Sequence, residues 1–409
     1  MWLYNLGISL YAGGIRLAAL WHGKARLWSE GRRNIFERME AAVRPSDRIV
    51  WVHAASLGEF EQARPIIERL RAEHPEYKIL LTFFSPSGYE IRKNYEGADY
   101  VFYLPADTPS NARRFLDIVH PEIAIFIKYE FWINLLSELR RRKVRSYIVS
   151  AIFRRNSVFF RPYGAMWRQA LETFDTLFVQ NVESKRLLSE IGFDNVVVAG
   201  DTRFDRVAQI AAAAQRVETI ERFRGGGRLF VAGSTWGPDE EILLPLVNAN
   251  PDVKFVIAPH EMDEGRIAHL MRDAKGGAVR YTQCDAATRF DDVQVLVLDT
   301  MGMLSSVYGS ATWAYVGGGF GGGIHNTLEA ATFGLPIAFG PNYGKFKEAR
   351  DMVSLGCAVS VRTAGELAAW FAPLRDDEET LRRASRTAKD YTARNQGATG
   401  IILRSIFNS

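Results

Sequence analysis

Cysteine is nearly absent. The 409 residues hold two, Cys284 and Cys357, far apart and without a partner pattern, so neither a disulfide framework nor a zinc site is indicated and a reducing compartment fits. An unbroken apolar run of membrane-spanning length is also missing. The most apolar stretch, Met1–Trp21, is interrupted by Arg16, whereas a full span wants about 20 apolar residues. An excess of one charge is confined to the first 33 residues: of 51 basic and 47 acidic side chains, five and one lie there, which leaves 46 of each sign downstream. A nucleic-acid protein would spread a basic face over its folded domains, so nucleic acid is not expected as a partner. Internal repeats and long low-complexity tracts are lacking, and no D-x-D-like acidic pair stands at a strand end, so neither a solenoid nor a bound metal is expected.

What is present is the composition of a globular protein too long for one ordinary core, which suggests two domains. In Met1–Trp21 the residues Asn5, Ser9, Gly13 and Arg16 recur at three- to four-residue spacing, so a helix there carries a narrow polar stripe on an apolar body. Trp2, Tyr4, Tyr11 and Trp21 stand near its ends. Such a helix suits an interfacial position with Arg16 snorkelling, and the basic residues that follow it favour the cytoplasmic side for the domains beyond. Basic residues after the apolar run, with no small-residue cleavage site, argue against a secretory signal. The alternative is an ordinary helix packed on the domain.

Strand-like runs at 49–53, 79–84, 100–104, 123–127, 146–149, 176–179 and 196–199 alternate with helical patterns such as 133–142 and 182–191. The charged, alanine-rich stretch 206–224, ahead of three glycines, reads as a connection. A second series follows at 229–232, 254–258, 295–298, 313–316 and 336–339, with helical patterns at 240–247 and 264–272. Alternation of this kind means parallel sheets covered by helices on both faces, here two doubly wound domains facing a cleft.

Two segments concentrate candidate chemistry. Trp51–Glu59 (W-V-H-A-A-S-L-G-E) runs from a buried strand through a turn into the first turn of a helix, the position where α/β enzymes place functional groups. Ser56 and Glu59 also fit an S-x-x-E capping box, in which the carboxylate merely satisfies a backbone N–H. Val316 leads into the glycine-rich Gly317–Gly323 and then His325-Asn326, an arrangement that lets backbone N–H groups approach an anion. Gly317, Gly319 and Gly322 fit G-x-G-x-x-G only weakly as a dinucleotide fingerprint, since they lie late in the chain. Asn326 serves equally as an N-cap.

The first segment and its surroundings resemble the 3-deoxy-D-manno-octulosonic acid (Kdo) transferases, which build the inner core of lipopolysaccharide. The family's H-A-x-S-x-G-E signature is matched by His53, Ala54, Ser56, Gly58 and Glu59, and the likeness runs along nearly the whole chain. It implies the GT-B architecture, with a membrane-associated segment at 1–33, an acceptor-binding domain at 34–205, a linker at 206–227, a nucleotide-sugar domain at 228–385 and a helix at 386–409 crossing back. Glu59 takes the family's role of catalytic base, with Glu130 as a second catalytic carboxylate. Lys128, Glu130, Trp132 and Asn134 resemble E-x-E-x-W-P-N, with lysine for the first glutamate and isoleucine for the proline; Glu130 reads equally as an ion-pair partner of Lys128.

The likeness also implies donor contacts from Gly233 and Ser234, from Pro259 and His260, from Thr300, Met301 and Gly302 of a D-T-M-G block, from Gly318, Gly319, His325, Asn326 and Glu329, and from Arg203 of a G-N-x-K-x-D-like block. His260 lacks the arginine that usually precedes it, and Arg266, Lys345 and Arg203 are the candidate replacements; a buried, structural His260 is the other reading. Acceptor contacts fall to Ser56, Gly58, Lys128 and Trp132, and to Gly31, Arg32 and Arg33 of the basic segment. The implied partners are CMP-Kdo, a lipid A precursor and the lipid surface at the cytoplasmic face of the bacterial inner membrane, with no cofactor or metal. Rival readings are another GT-B sugar-nucleotide enzyme, a UDP-sugar transferase or epimerase, and a non-catalytic binding protein.

Overall fold

A computed structural model describes residues 2–408. The chain forms two compact units, Met1–Arg206 with Gln396–Ser409 and Val207–Asn395. Among the described residues each unit carries one seven-stranded parallel sheet.

In the first unit the strands are β1 (Ile49–His53), β2 (Lys78–Phe83), β3 (Tyr100–Tyr103), β4 (Ile123–Ile127), β5 (Arg145–Ala151), β6 (Thr176–Val179) and β7 (Val196–Val198), in the order β3-β2-β1-β4-β5-β6-β7. The chain winds outward from β1 through β3, then returns to place β4 on the other side of β1. The loops leaving β1 and β4 therefore part at their carboxyl ends, which opens a crevice there. Both strands are buried along their length, Ile-Val-Trp-Val-His and Ile-Ala-Ile-Phe-Ile, as a parallel strand covered on two faces requires. Trp51 packs edge-on against Phe115 and Phe126 on one face, while Val50 and Val52 meet Phe60, Ile66 and Ile67 on the other.

Three helices precede β1: α1 (Trp2–Ala18), α2 (Gly23–Glu30) and α3 (Ile35–Ala42). In α1 the polar stripe is divided, with Ser9, Gly13 and Arg16 exposed. Asn5, of the expected polar stripe, faces the protein beside Tyr4, whereas Trp2, Leu3, Leu10 and Leu17 are 60–71% exposed. No helix among the described residues is long and apolar enough to cross a membrane. Between α2 and α3, Gly31 lies so close to the Tyr103 ring that a Cβ would come within 2.1 Å of it. Arg32 turns inward, donating to the carbonyls of Leu104 and Phe84 at 2.8 Å and of Trp28 at 3.1 Å, with its guanidinium over the Trp28 ring. These two residues seat the basic segment on the sheet, and Arg33 is the exposed cation of the trio.

The next helix, α4 (Leu57–Glu73), covers one face of the sheet together with the last helix, Ala398–Phe407, whose Ile402, Leu403 and Ile406 are buried beside Ile66 and Ile67. Asp205 anchors that helix by accepting from the Gly397 N–H at 2.5 Å, the Thr399 N–H at 2.7 Å and the Thr399 hydroxyl at 2.6 Å.

The second unit holds β8 (Leu229–Thr235), β9 (Lys254–Pro259), β10 (Ala278–Arg280), β11 (Val295–Val297), β12 (Trp313–Val316), β13 (Ile337–Phe339) and β14 (Ala358–Ser360), in the order β10-β11-β9-β8-β12-β13-β14. Separate apolar layers cover its two faces. The two edge strands, of three residues each, were not anticipated. The stretch 206–224 is helical at Thr202–Ala213 and Glu218–Arg224, in keeping with the high helix propensity of its alanines.

Replacing Asp205 with alanine removes the carboxylate cap of the last helix, a loss of about 1–2 kcal/mol. Hydrogen exchange should then quicken over 398–407 while β1 amides keep their protection.

Candidate active site

Glu59 lies in the first turn of α4, just beyond β1. The capping box is not formed. Ser56 occupies the N-cap position without a side-chain bond to the backbone, and its hydroxyl instead donates to Glu59 Oε2. Lys128, held at φ +63° at the end of β4, brings its Nζ within 3.9 Å of Glu59 Oε1. The carboxylate is thus turned towards the β1/β4 crevice, with a hydroxyl on one oxygen and an ammonium group near the other.

Glu130 is fixed more tightly. Its Oε2 accepts from Trp132 Nε1 at 2.8 Å and lies 3.2 Å from His53 Nε2, while His53 Nδ1 lies 2.9 Å from the Thr82 hydroxyl. Trp51 Nε1 donates to that hydroxyl oxygen at 2.8 Å. One assignment satisfies every group: Trp51 donates to Thr82, the Thr82 O–H to Nδ1, and the Nε2–H to Glu130. His53 is fully buried and its ring lies between Thr82 and Glu130. Sequence reasoning placed His53 in a motif but gave it no role; a buried polar residue at the carboxyl end of a strand was the available signal.

Arg203 is engaged by Asp201, whose Oδ2 accepts from Nε at 2.9 Å and Nη2 at 2.8 Å, and whose Oδ1 accepts from Gln62 at 2.8 Å. Burial works against the Asp201 charge, yet the Arg203 charge and these bonds prevail and hold its carboxyl below the usual range. Gly58 lies on α4 one residue before Glu59.

In the second unit a cavity of about 480 Å³ is lined by Trp236, Asp239, Gly318, Phe320–Gly323 and His325. Gly318 is held at φ +90°, a conformation that only glycine adopts readily. Its N–H is already committed, donating to Asp239 Oδ2 at 2.9 Å, while Tyr315 donates to Oδ1 at 2.8 Å. Burial raises the Asp239 carboxyl, and these donors oppose the rise. Asp239 therefore braces the glycine loop, a role not foreseen from sequence. Gly319 packs against the backbone of Gly340, and Ser234 lies not in a turn but within β8, at φ +54° where the pairing with β9 shifts register between Gly233 and Thr235.

His260, which follows Pro259, is exposed rather than buried. Its ring stacks on His325 at 4.3 Å and lies 4.8 Å from Trp236, and Trp236 Nε1 donates to His325 Nε2 at 3.2 Å. Of the cations offered as replacements beside His260, Arg266 is bound to buried Glu240 at 2.6 Å, whereas Lys345 Nζ donates to the Gly322 carbonyl at 2.5 Å on the rim of the cavity. Asn326 Oδ1 caps the following helix through the Leu328 N–H, and its amide donates to Glu329, which also accepts from Ser305. Thr300, Met301 and Gly302 form an open turn in which Met301 is 84% exposed. No group of three or more His, Cys, Asp or Glu side chains is assembled as a metal site among the described residues.

Two doubly wound units, one with carboxylates at its β1/β4 switch point and the other with a glycine-lined cavity at a strand's carboxyl end, give the GT-B fold. The architecture matches UDP-GlcNAc 2-epimerase from Neisseria meningitidis with a TM-score of 0.61 over 88% of this chain and all of that one, at 16% identity, a likeness of fold. Residues 32–206 match the family model for 3-deoxy-D-manno-octulosonic-acid transferase. The transferase of that name from Bordetella pertussis is 28% identical over 87% of this chain and 86% of its own length; that from Haemophilus influenzae is 25% identical over 88% and 86%. Residues 32–206 thus match this family's domain, the likeness to the named transferases continues over most of the chain, and together these comparisons mark it as a glycosyltransferase.

Burial, and then the neighbouring His260, hold the His325 imidazole below its ordinary value of 6.5. Below that pH the unfolded chain binds a proton that the folded unit refuses, so stability falls as pH drops through this window. Urea midpoints of the second unit should decline between about pH 7 and pH 5.5, and His325→Gln should flatten the decline.

Proposed function

We propose that the chain moves Kdo from CMP-Kdo to a lipid A precursor at the cytoplasmic face of the bacterial inner membrane, with Glu59 as general base. The observation that carries this reading is the state of Glu59, whose carboxylate serves no helix cap and is turned instead to the switch-point crevice. In the proposed reaction Glu59 takes the proton of an acceptor hydroxyl as that oxygen bonds to the anomeric carbon. The bond to the CMP phosphate breaks and its electron pair leaves with CMP, inverting the centre. Ser56 and Lys128 orient Glu59 from opposite sides. Glu130, immobilised by His53 and Trp132, offers a second fixed carboxylate near the acceptor.

The donor is assigned to the second unit, with its phosphate at the glycine loop, where Lys345 supplies positive charge, and with no metal in the scheme. His325, Asn326 and Glu329 stand at the start of the helix that follows this loop, and the Trp236–His260–His325 stack offers flat surface for a base or sugar. Arg203, which belongs to the first unit, is engaged by Asp201.

The outward face of α1 suits a lipid surface: its exposed Trp2, Leu3, Leu6, Leu10 and Leu17 are followed by Lys24 and Arg26.

Incubating the protein with CMP-Kdo and tetra-acylated lipid A precursor should add Kdo mass to the lipid, and Glu59→Gln should lower kcat by about 10²–10⁴-fold. Near-normal turnover of that variant would reassign the base. Leu3→Ser/Leu10→Ser should weaken co-sedimentation with anionic vesicles by at least about tenfold, since each buried leucine contributes roughly 1.5–3 kcal/mol.

A further inference from the structure

The inward face of α1 is docked on the segment that carries Glu130, by two separate routes. The polar route starts at Tyr4, whose hydroxyl donates to Asp107 Oδ2 at 2.6 Å and accepts from the Ile133 N–H at 3.3 Å. Asp107, 1% exposed, also accepts from the N–H groups of Asn134 at 3.0 Å and Leu135 at 2.9 Å. The Asn134 amide donates to Asn5 Oδ1 at 2.9 Å and to the Asp107 carbonyl at 2.6 Å. Residues 133–135 open the helix Ile133–Arg142, whose N-cap residue, Trp132, makes no side-chain cap. The unpaired N–H groups of that first turn are therefore satisfied by Asp107 and by a hydroxyl from α1. The aromatic route runs from Tyr11, stacked on Phe84 at 6.2 Å, to Trp132, 4.6 Å from Phe84. The polar route ends at residues 133–135, directly after Trp132, and the aromatic route at Trp132 itself, the donor to Glu130.

We infer that Tyr4 and Asn5, acting through Asp107 and Asn134, are positioning residues for Glu130: docking of α1 fixes the backbone of 130–134 and with it the carboxylate. This rests on the proposed function, because the turnover of Kdo transfer is what reports the position of Glu130. The same helix exposes Trp2, Leu3, Leu6, Leu10 and Leu17, none of which makes the docking hydrogen bonds, so those bonds can be removed without touching the outward apolar residues. A helix serving only as an anchor would need neither Tyr4 nor Asn5 to be bonded to the start of this segment.

The test is the full-length Tyr4→Phe/Asn5→Ala variant, assayed with detergent-dispersed lipid A precursor and saturating CMP-Kdo. Phe keeps the ring that meets Trp167. Expected are a fall in kcat of about 10–100-fold, the effect of displacing a reacting group by about an ångström, and a donor KM within about threefold of wild type. Amide exchange over 133–135 should accelerate, and co-sedimentation with phosphatidylethanolamine–phosphatidylglycerol vesicles should stay unchanged. Unchanged kcat, unchanged exchange at 133–135, or a loss of turnover matched by a loss of vesicle binding would each overturn the inference. Should the wild-type chain itself transfer no Kdo, the functional reading fails separately, and exchange at 133–135 decides whether α1 orders the segment.

Discussion

A buried imidazole at the end of a central strand has no water to turn to, so both ring nitrogens of His53 must be matched within the protein. It meets that demand with Thr82 at the end of β2 on one side and Glu130 beyond β4 on the other, joining three neighbouring strands at their carboxyl ends. The geometry of the first unit follows from this bond. Trp51 shares the Thr82 hydroxyl, Trp132 shares the Glu130 oxygen, and Phe84 packs on Trp132. Glu59 stands apart from that lattice, held by Ser56 at its own helix start and approached by Lys128, which leaves one carboxylate fixed among aromatic and imidazole donors and the other beside it.

Much of the scaffold was legible in the chain because a parallel strand covered on both faces reads as an unbroken apolar run. The strands at 49–53, 123–127, 176–179 and 313–316 fall where that pattern places them. The edge strands β10 and β14 carry too few residues to show any period, and their partial exposure blurs what pattern remains. In the candidate site, Glu59 was visible from local spacing, while Asp107, Thr82 and Asp239 were not. Their partners lie tens of residues or more away, as with Tyr4 and Asp107, and only the folded chain brings them together. Helix periodicity described α1 as amphipathic but could not say which of its residues meet the protein: Asn5 of the polar stripe is spent there beside Ile8, Ala12 and Ile15, while Ser9, Gly13 and Arg16 stay exposed with Leu3, Leu10 and Leu17.

The departures from the family's pattern acquire a structural sense. Lysine at position 128, where the family has glutamate, brings an ammonium group to Glu59 instead of a third carboxylate to the crevice. The arginine missing before His260 leaves a ring stack in which His260 lies flat on His325, with Lys345 bonded to the Gly322 carbonyl of the glycine loop. The loop itself owes its shape to Asp239, which takes up the Gly318 N–H and so decides which backbone groups remain to face a ligand.

The return of residues 398–407 to the first unit has a bearing on how the protein is made. A ribosome adding about 5–20 residues per second needs roughly 10–40 s to produce the 189 residues between Val207 and Asn395 before that helix can follow. Throughout this interval Ile66, Ile67 and their neighbours lack the cover that Ile402, Leu403 and Ile406 bring. The first half of the nascent chain thus waits on the whole of the second with an apolar flank open until residues 398–407 dock.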